Sequence, residues 1–161
     1  MADVVSKSKR SQMMSGIKGK NTKPEISLRK ELFSRGFRYR THGRILPGKP
    51  DLVFKKYNAL VFVNGCFWHG HENCKLFRMP KSRIDFWEEK IGVNIDRDKR
   101  NIIELLDFGW RVLIVWECSI KGKSVRLPAT ADLVQEWLLS DRKGLFEIRL
   151  DNDTQLPIFK S

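Results

Sequence analysis

The chain has 161 residues, a length that suits one domain around one core. It is 41% apolar and 31% charged, as globular proteins are. It has neither a membrane-length apolar run nor a signal-peptide core behind "MADVVSKSKR", so a cytoplasmic protein without a membrane partner is expected.

Net charge is +12 and unevenly placed: residues 1–50 hold 13 Lys and Arg against 3 Asp and Glu, and residues 51–161 hold 18 against 16. A basic first third on a nearly balanced body predicts a polyanionic partner, with nucleic acid foremost. Residues 1–20 are polar, basic and rich in Ser and Gly, with Met13, Met14 and Ile17 as the only apolar face. They are expected to form an arm that orders on binding.

"TKPEISLRKELFSRGF" predicts a helix. Thr22 and Glu25 form a capping box, Pro24 is tolerated in the first turn, Leu28, Leu32 and Phe33 make the apolar stripe, and Gly36 ends it. "RYRTH" suggests a strand and "ILPGKP" a turn-rich loop. "DLVF" and "ALVFVN", joined by "KKYN", predict a hairpin. "RIDFWEEKIGVNIDRDKRNIIELLDFG" predicts one long helix or two, weakened at Gly92 and ended by Gly109. "WRVLIVWE" suits a buried central strand and "ATADLVQEWLLS" a closing helix. Residues 141–161 form a tail with no clear periodicity. The order α-β-β-β-α-β-α predicts a single α/β domain over 21–140, a mixed central sheet flanked by helices.

"NGCFWHGHENC" crowds two cysteines and two histidines around a Phe-Trp pair. With three cysteines in the chain, disulfides cannot use them all, and clustered cysteines favour a metal. Cys66, His71 and Cys74 read C-x4-H-x2-C, and Cys118 closes the predicted central strand. These four donors suit a closed, structural Zn²⁺ site. Cys118 as a plain core residue is the alternative, and His69 is the alternative ligand. Asp51 follows Pro50 at the head of the hairpin, where a carboxylate suits Mg²⁺ and phosphoryl transfer. This resembles PD-(D/E)XK nucleases, although the second strand lacks their acid-x-lysine pair. His69 and Asp98 could form a general base with its orienting carboxylate. A solvated helix face is the plainer reading of "DRDKR".

Taken together, "MADV", "RS-x-x-M-x-x-I", "LPGKPDLVF", "FVNGCFWHGH", "FWEEKIG-x-N-x-x-RD-x-R" and "GWRVLIVWEC" resemble the very-short-patch repair (Vsr) mismatch endonucleases, from the N-terminus to about Cys118. The resemblance implies a PD-(D/E)XK-type core with a structural zinc, and residues 21–140 as an endonuclease domain. It implies a bacterial, nucleoid-associated enzyme that acts as a monomer on double-stranded DNA. Its reaction would be a Mg²⁺-dependent nick 5′ of the mismatched T in a T·G pair left by 5-methylcytosine deamination. A MutL-type repair protein and a DNA polymerase are the implied partners.

By matching position, Asp51 would hold Mg²⁺ with the backbone carbonyl of Val63, where a family member has threonine. His69 would deprotonate water and Asp98 would orient it. Glu25 matches a family acid near the site. Cys66, His71, Cys74 and Cys118 match the zinc ligands, with one extra residue between His71 and Cys74. Asn64 stands where the family has a histidine near the scissile phosphate. It can donate a hydrogen bond but carries no charge, so a slower rate or shifted pH optimum is expected. Phe67, Trp68 and Trp87 match a wedge entering the base stack from the major groove, with Met14 and Ile17 approaching from the other side. Lys18, Lys20, Lys23, Arg38 and Arg40 are expected on phosphates, while Trp110, Trp116 and Trp137 are assigned to the core. The alternatives are a zinc-stabilised DNA-binding module without catalysis and a restriction-type double-strand endonuclease.

Overall fold

The computed structural model describes residues 20–161. Among the described residues three α-helices flank one six-stranded sheet: α1 (Lys23–Ser34), α2 (Ile84–Asp107) and α3 (Arg126–Leu139). The strands are β1 (Arg40–Thr41), β2 (Leu52–Phe54), β3 (Ala59–Asn64), β4 (Arg111–Trp116), β5 (Leu145–Leu150) and β6 (Pro157–Lys160). They lie in chain order across the sheet. β3, β4 and β5 run parallel, and β1–β2, β2–β3 and β5–β6 pair antiparallel. The predicted mixed sheet is present, and the unassigned tail supplies its last two strands. Among the described residues no helix is long and apolar enough to cross a membrane.

Period-two alternation sorts the side chains onto the two faces. Val61, Leu113 and Val115 face α1 and α3, packing with Leu28, Leu32, Val134 and Trp137. Leu60 and Val112 face α2 through Leu105, with Ile102, Leu106 and Trp110 partly buried against them. β4 is buried along its whole length, as its unbroken apolar run requires. Trp137 is fully buried and Trp116 is 7% exposed, so both join the core as expected.

Two local expectations, the apolar stripe of α1 and its capping box, are corrected, and the choice between one helix and two over residues 84–107 falls to one. Phe33 is 52% exposed rather than part of the apolar stripe, and its ring carries the Arg38 guanidinium 3.9 Å from its centroid. α2 is one helix through Gly92, where an added Cβ would meet nothing, so the glycine costs propensity without breaking the helix. The capping box is only half made. Thr22 accepts from the Glu25 N–H at 3.4 Å, but the Glu25 carboxylate accepts from Asn21 N–H at 3.0 Å.

Arg111 opens β4 as a buried cation that hydrogen-bonds to no carboxylate among the described residues. Its guanidinium donates to the carbonyls of Arg142 at 2.7 Å, Tyr57 at 2.9 Å and Trp137 at 2.5 Å, so one side chain ties β4 to the hairpin turn and to the end of α3. Burial lowers its pKa. Arg111→Leu strands these carbonyls and is expected to cost about 3 kcal/mol in urea unfolding. Lysine cannot reproduce the fork, so an Arg111→Lys midpoint equal to wild type would show that the fork is not what matters.

Candidate active site and metal centre

The candidate residues gather where β2 begins, β3 ends and α1 begins. Asp51 stands between buried Pro50 and β2, and its Oδ2 accepts the Val63 N–H at 2.6 Å. Burial pushes the Asp51 carboxyl up to about 8. The Val63 hydrogen bond works against that shift and the Glu25 charge adds to it. Glu25 is 1% exposed on the first turn of α1. Its Oε2 accepts from Arg29 at 2.8 Å and lies 2.9 Å from His42 Nε2.

His42 was missed by sequence reasoning. Its signal was positional: β1 pairs with β2 so that Thr41 opposes Leu52, which sets the next residue across from Asp51. The His42 N–H donates to the Asp51 carbonyl at 3.0 Å, with His42 held at φ +53°. One donor atom each from Glu25, His42 and Asp51 lies within 4.8 Å of the other two.

His69 is brought to the same cleft by the loop after β3. That loop packs tightly on α2. A Cβ on Gly70, which sits at φ +60°, would come 2.6 Å from Ile95 Cδ1, and Asn94 Nδ2 donates to the Trp68 carbonyl at 3.0 Å. His69 Nδ1 lies 2.5 Å from Asp98 Oδ2 on α2. Asp51, Val63, Asn64, His69 and Asp98 line one cleft of about 500 Å³, with Lys49 and Arg97 also on its walls. With His69 Nδ1–H donating to the Asp98 carboxylate, Nε2 is left as the basic nitrogen. Asn64 is 7% exposed and lines this cleft.

The second centre is built on the loop that carries His69. The donor atoms of Cys66, His71, Cys74 and Cys118 all fall within 4.8 Å of one another, and all three cysteines are free. His69 is not in this group, since Asp98 holds it. A tetrahedral zinc with about 2.3 Å Zn–S bonds sets sulfurs about 3.8 Å apart, so the spacing fits. The protonation chemistry fits as well. Hydrogen bonding from Cys66 draws the Cys118 thiol down to about 4, helped by His71, while the same contact and burial push Cys66 up. Burial also raises Cys74. Cys118 is therefore the cysteine of the cluster most readily deprotonated, and a metal bound there would displace the remaining thiol protons.

The unassigned tail completes this centre. Leu150 N–H donates to Cys118 Sγ at 3.4 Å. Arg149 donates to the carbonyls of Glu72 at 3.1 Å and Asn73 at 2.8 Å, and Asn152 Nδ2 also reaches Asn73 at 2.8 Å. The His71 ring stacks on Trp116 with centroids 3.9 Å apart.

The aromatic residues form one cluster. Phe67 meets Trp68 at 5.2 Å and Trp87 at 5.5 Å between centroids, and Trp68 meets Trp87 at 5.9 Å. Phe67 and Trp68 are half-buried, and Trp87 is 9% exposed. Met14, Ile17 and Lys18 lie outside the described residues. Lys20 and Lys23 are exposed at the start of α1, and Arg40 is exposed on β1. Arg38 bends back onto the Phe33 and Phe37 carbonyls at the other end of α1, about 13 Å of extended chain from His42.

The family described as DNA mismatch endonuclease Vsr matches residues 2–76. The DNA mismatch endonuclease Vsr of Escherichia coli K12 is 42% identical over 142 residues, 88% of this chain and 90% of its own. The type II nicking enzyme V.NmeAIP of Neisseria meningitidis serogroup A is 47% identical over 136 residues, 84% of this chain and 96% of its own. V.XorIIP, a type II nicking enzyme of Xanthomonas oryzae, is 45% identical over 120 residues, 74% of this chain and 88% of its own. On these matches the chain is a DNA endonuclease and belongs to the Vsr family of DNA mismatch endonucleases.

Proposed function

We propose that this enzyme nicks one strand of duplex DNA 5′ of the mismatched T in a T·G pair, with Mg²⁺, and so starts very-short-patch repair. Such pairs arise when 5-methylcytosine deaminates to thymine opposite guanine. The observation that carries the reading is the shared cleft: Asp51 and the His69–Asp98 pair line it together, and the loop that bears His69 also bears Phe67 and Trp68. The β2–β3 hairpin headed by Asp51 supports a PD-(D/E)XK-type core.

Asp51 and the Val63 carbonyl would hold the Mg²⁺, which when bound neutralises charge on the scissile phosphate. Asp98 fixes His69 in the Nδ1–H form. His69 Nε2 then takes the proton of the attacking water. Lys49 and Arg97 set positive charge at the cleft for the phosphate. Glu25, tethered by Arg29 and His42, keeps a second buried acid beside Asp51. Phe67, Trp68 and Trp87 serve as the wedge, and Met14 and Ile17 close from the arm. Lys18, Lys20, Lys23 and Arg40 bind flanking phosphates. Cys66, His71, Cys74 and Cys118 hold a structural Zn²⁺ that fixes the loop carrying His69. The nick leaves a strand end for a polymerase to extend, and a MutL-type protein is the proposed partner upstream.

The test is a nicking assay on end-labelled duplexes carrying T·G or T·A in varied flanks, with Mg²⁺ or chelator. A Mg²⁺-dependent cut 5′ of the mismatched T is expected. Salt-sensitive binding with no cut in any flank would leave a DNA-binding module instead. Cuts on both strands would point to a restriction-type enzyme.

Asn64 lines the cleft without a charge. Asn64→His is expected to raise the nicking rate or move its pH optimum, read from a pH–rate profile in single turnover. An unchanged rate and profile would show that no cation is needed at that position.

A further inference from the structure

The loop between β1 and β2 carries a feature that the proposed chemistry leaves unused. Ile45 is 97% exposed, the most solvent-accessible large apolar side chain among the described residues. It sits in "HGRILPGKP" next to exposed Arg44, with exposed Lys49 four residues on. Gly48 and Lys49 line the cleft that holds Asp51 and His69. Phe67 and Trp68 instead line the adjoining cavity, on the other side of Val63 and Asn64.

The loop is built to present this residue. Gly43 N–H donates to Pro50 O at 2.9 Å, Leu46 N–H to Gly43 O at 3.0 Å and Lys49 N–H to Leu46 O at 3.0 Å. Leu46 packs into the apolar cluster beneath, against the face that holds Val53 and Leu60. A Cβ on Gly43 would come 3.0 Å from Val53 Cγ2, and one on Gly48 would come 3.2 Å from both Asn101 and Phe62. The loop therefore seats directly on β2, β3 and α2. Leu46 points in and Ile45 points out, from a backbone already ordered. A preformed contact costs little entropy on binding. An isoleucine held almost wholly in water beside Arg44, on the loop whose Gly48 and Lys49 line the cleft, suits a surface that is both apolar and anionic.

We infer that Ile45 packs on the deoxyribose and base edges of the duplex beside the scissile phosphate, with Arg44 and Lys49 on the flanking phosphates. It is a second apolar contact to DNA, separate from the aromatic loop, and it rests on the proposed DNA-nicking function. It widens the footprint, so that affinity depends on duplex to both sides of the cut.

The test is fluorescence anisotropy of a labelled T·G duplex with wild type, Ile45→Ser, Arg44→Ala and Leu139→Ser, in Ca²⁺ and over a salt series. Ile45→Ser is expected to weaken binding about tenfold, in line with exposing one isoleucine. Its dependence on salt should stay that of wild type. Arg44→Ala should flatten the log–log salt slope by about one. Leu139, exposed at the end of α3, serves as the control and should bind as wild type. Ile45→Ser binding as wild type would overturn the inference. Failure of the nicking function itself would appear separately, as no T·G-dependent cut by wild type. Ile45 has no packing to lose, so the variant should keep its fold, which circular dichroism checks.

Discussion

Asp51→Asn should reduce nicking at least about 10³-fold, on the scale of several kcal/mol of metal-derived transition-state stabilisation, while T·G duplex binding stays close to that of wild type. Asparagine keeps an oxygen to accept the Val63 N–H, which wild-type Asp51 does at 2.6 Å, so the hairpin has no reason to shift. What it loses is the negative charge. Single-turnover nicking and anisotropy on the same preparation separate the two effects. A variant that still nicks within tenfold of wild type would remove Asp51 from the metal site, and one that loses binding as well would make its role structural.

The same residue predicts an unusual stability profile without divalent metal. In the unfolded chain the Asp51 carboxyl titrates at its ordinary 3.8, whereas burial in the folded chain pushes it up to about 8. Folding therefore takes up a proton between these values. The stabilisation is fully present below pH 3.8 and is lost as pH rises toward 8. Asp51→Asn has no charge to bury, so its melting temperature in chelator at pH 8 should exceed that of wild type. Metal and proton also compete for Asp51. At limiting Mg²⁺ the wild-type nicking rate should climb with pH up to about 8, and saturating Mg²⁺ should move that rise to lower pH. A melting comparison with no gain at pH 8 would mean that Asp51 is ionised in the folded protein and carries no such penalty.

Much of this arrangement was legible in the sequence because the decisive elements are locally encoded. The hairpin is announced by two apolar runs and a turn, and β4 by six consecutive buried positions. Three of the four candidate metal donors cluster within nine residues of one loop, and Cys118 is placed by the end of a strand that could be read directly. What escaped depends on the register between distant segments. His42 reaches Glu25 only because β1 pairs with β2 and α1 packs over them. Arg149 and Leu150 reach the metal loop only because β5 runs parallel to β4 and ends beside Cys118. β5 itself alternates Phe146, Glu147, Ile148 and Arg149 over six residues, too short and too polar to stand out. Phe33 misled for the opposite reason: the helical period is right, but a cation rather than the core covers the ring. Lone propensities specify elements well, and the networks that join them are set by packing.

The largest structural effect is expected at the second centre. Cys118→Ser should abolish metal retention, so that wild type carries about one zinc per chain by elemental analysis and the variant carries almost none. Cys118 is 3% exposed and collects hydrogen bonds from two directions, from Leu150 N–H and across to His71. Its loss therefore releases the tail clamp as well as one ligand. A cost of about 3–5 kcal/mol is expected, which corresponds to a fall in melting temperature of roughly 10 °C or more for a domain of this size. Nicking should fall with it. The loop that supplies Cys66 and His71 also supplies His69, and Gly70 packs that loop on α2 beside Asp98. A freed loop would have to pay the entropy of ordering on every encounter with DNA. Removing zinc from wild type with a strong chelator should copy the variant, and adding zinc back should restore wild type but leave Cys118→Ser inactive. Full activity and an unchanged melting temperature in a zinc-free preparation would show that hydrogen bonding and packing alone hold the loop, and that the four donors share a site without needing a metal.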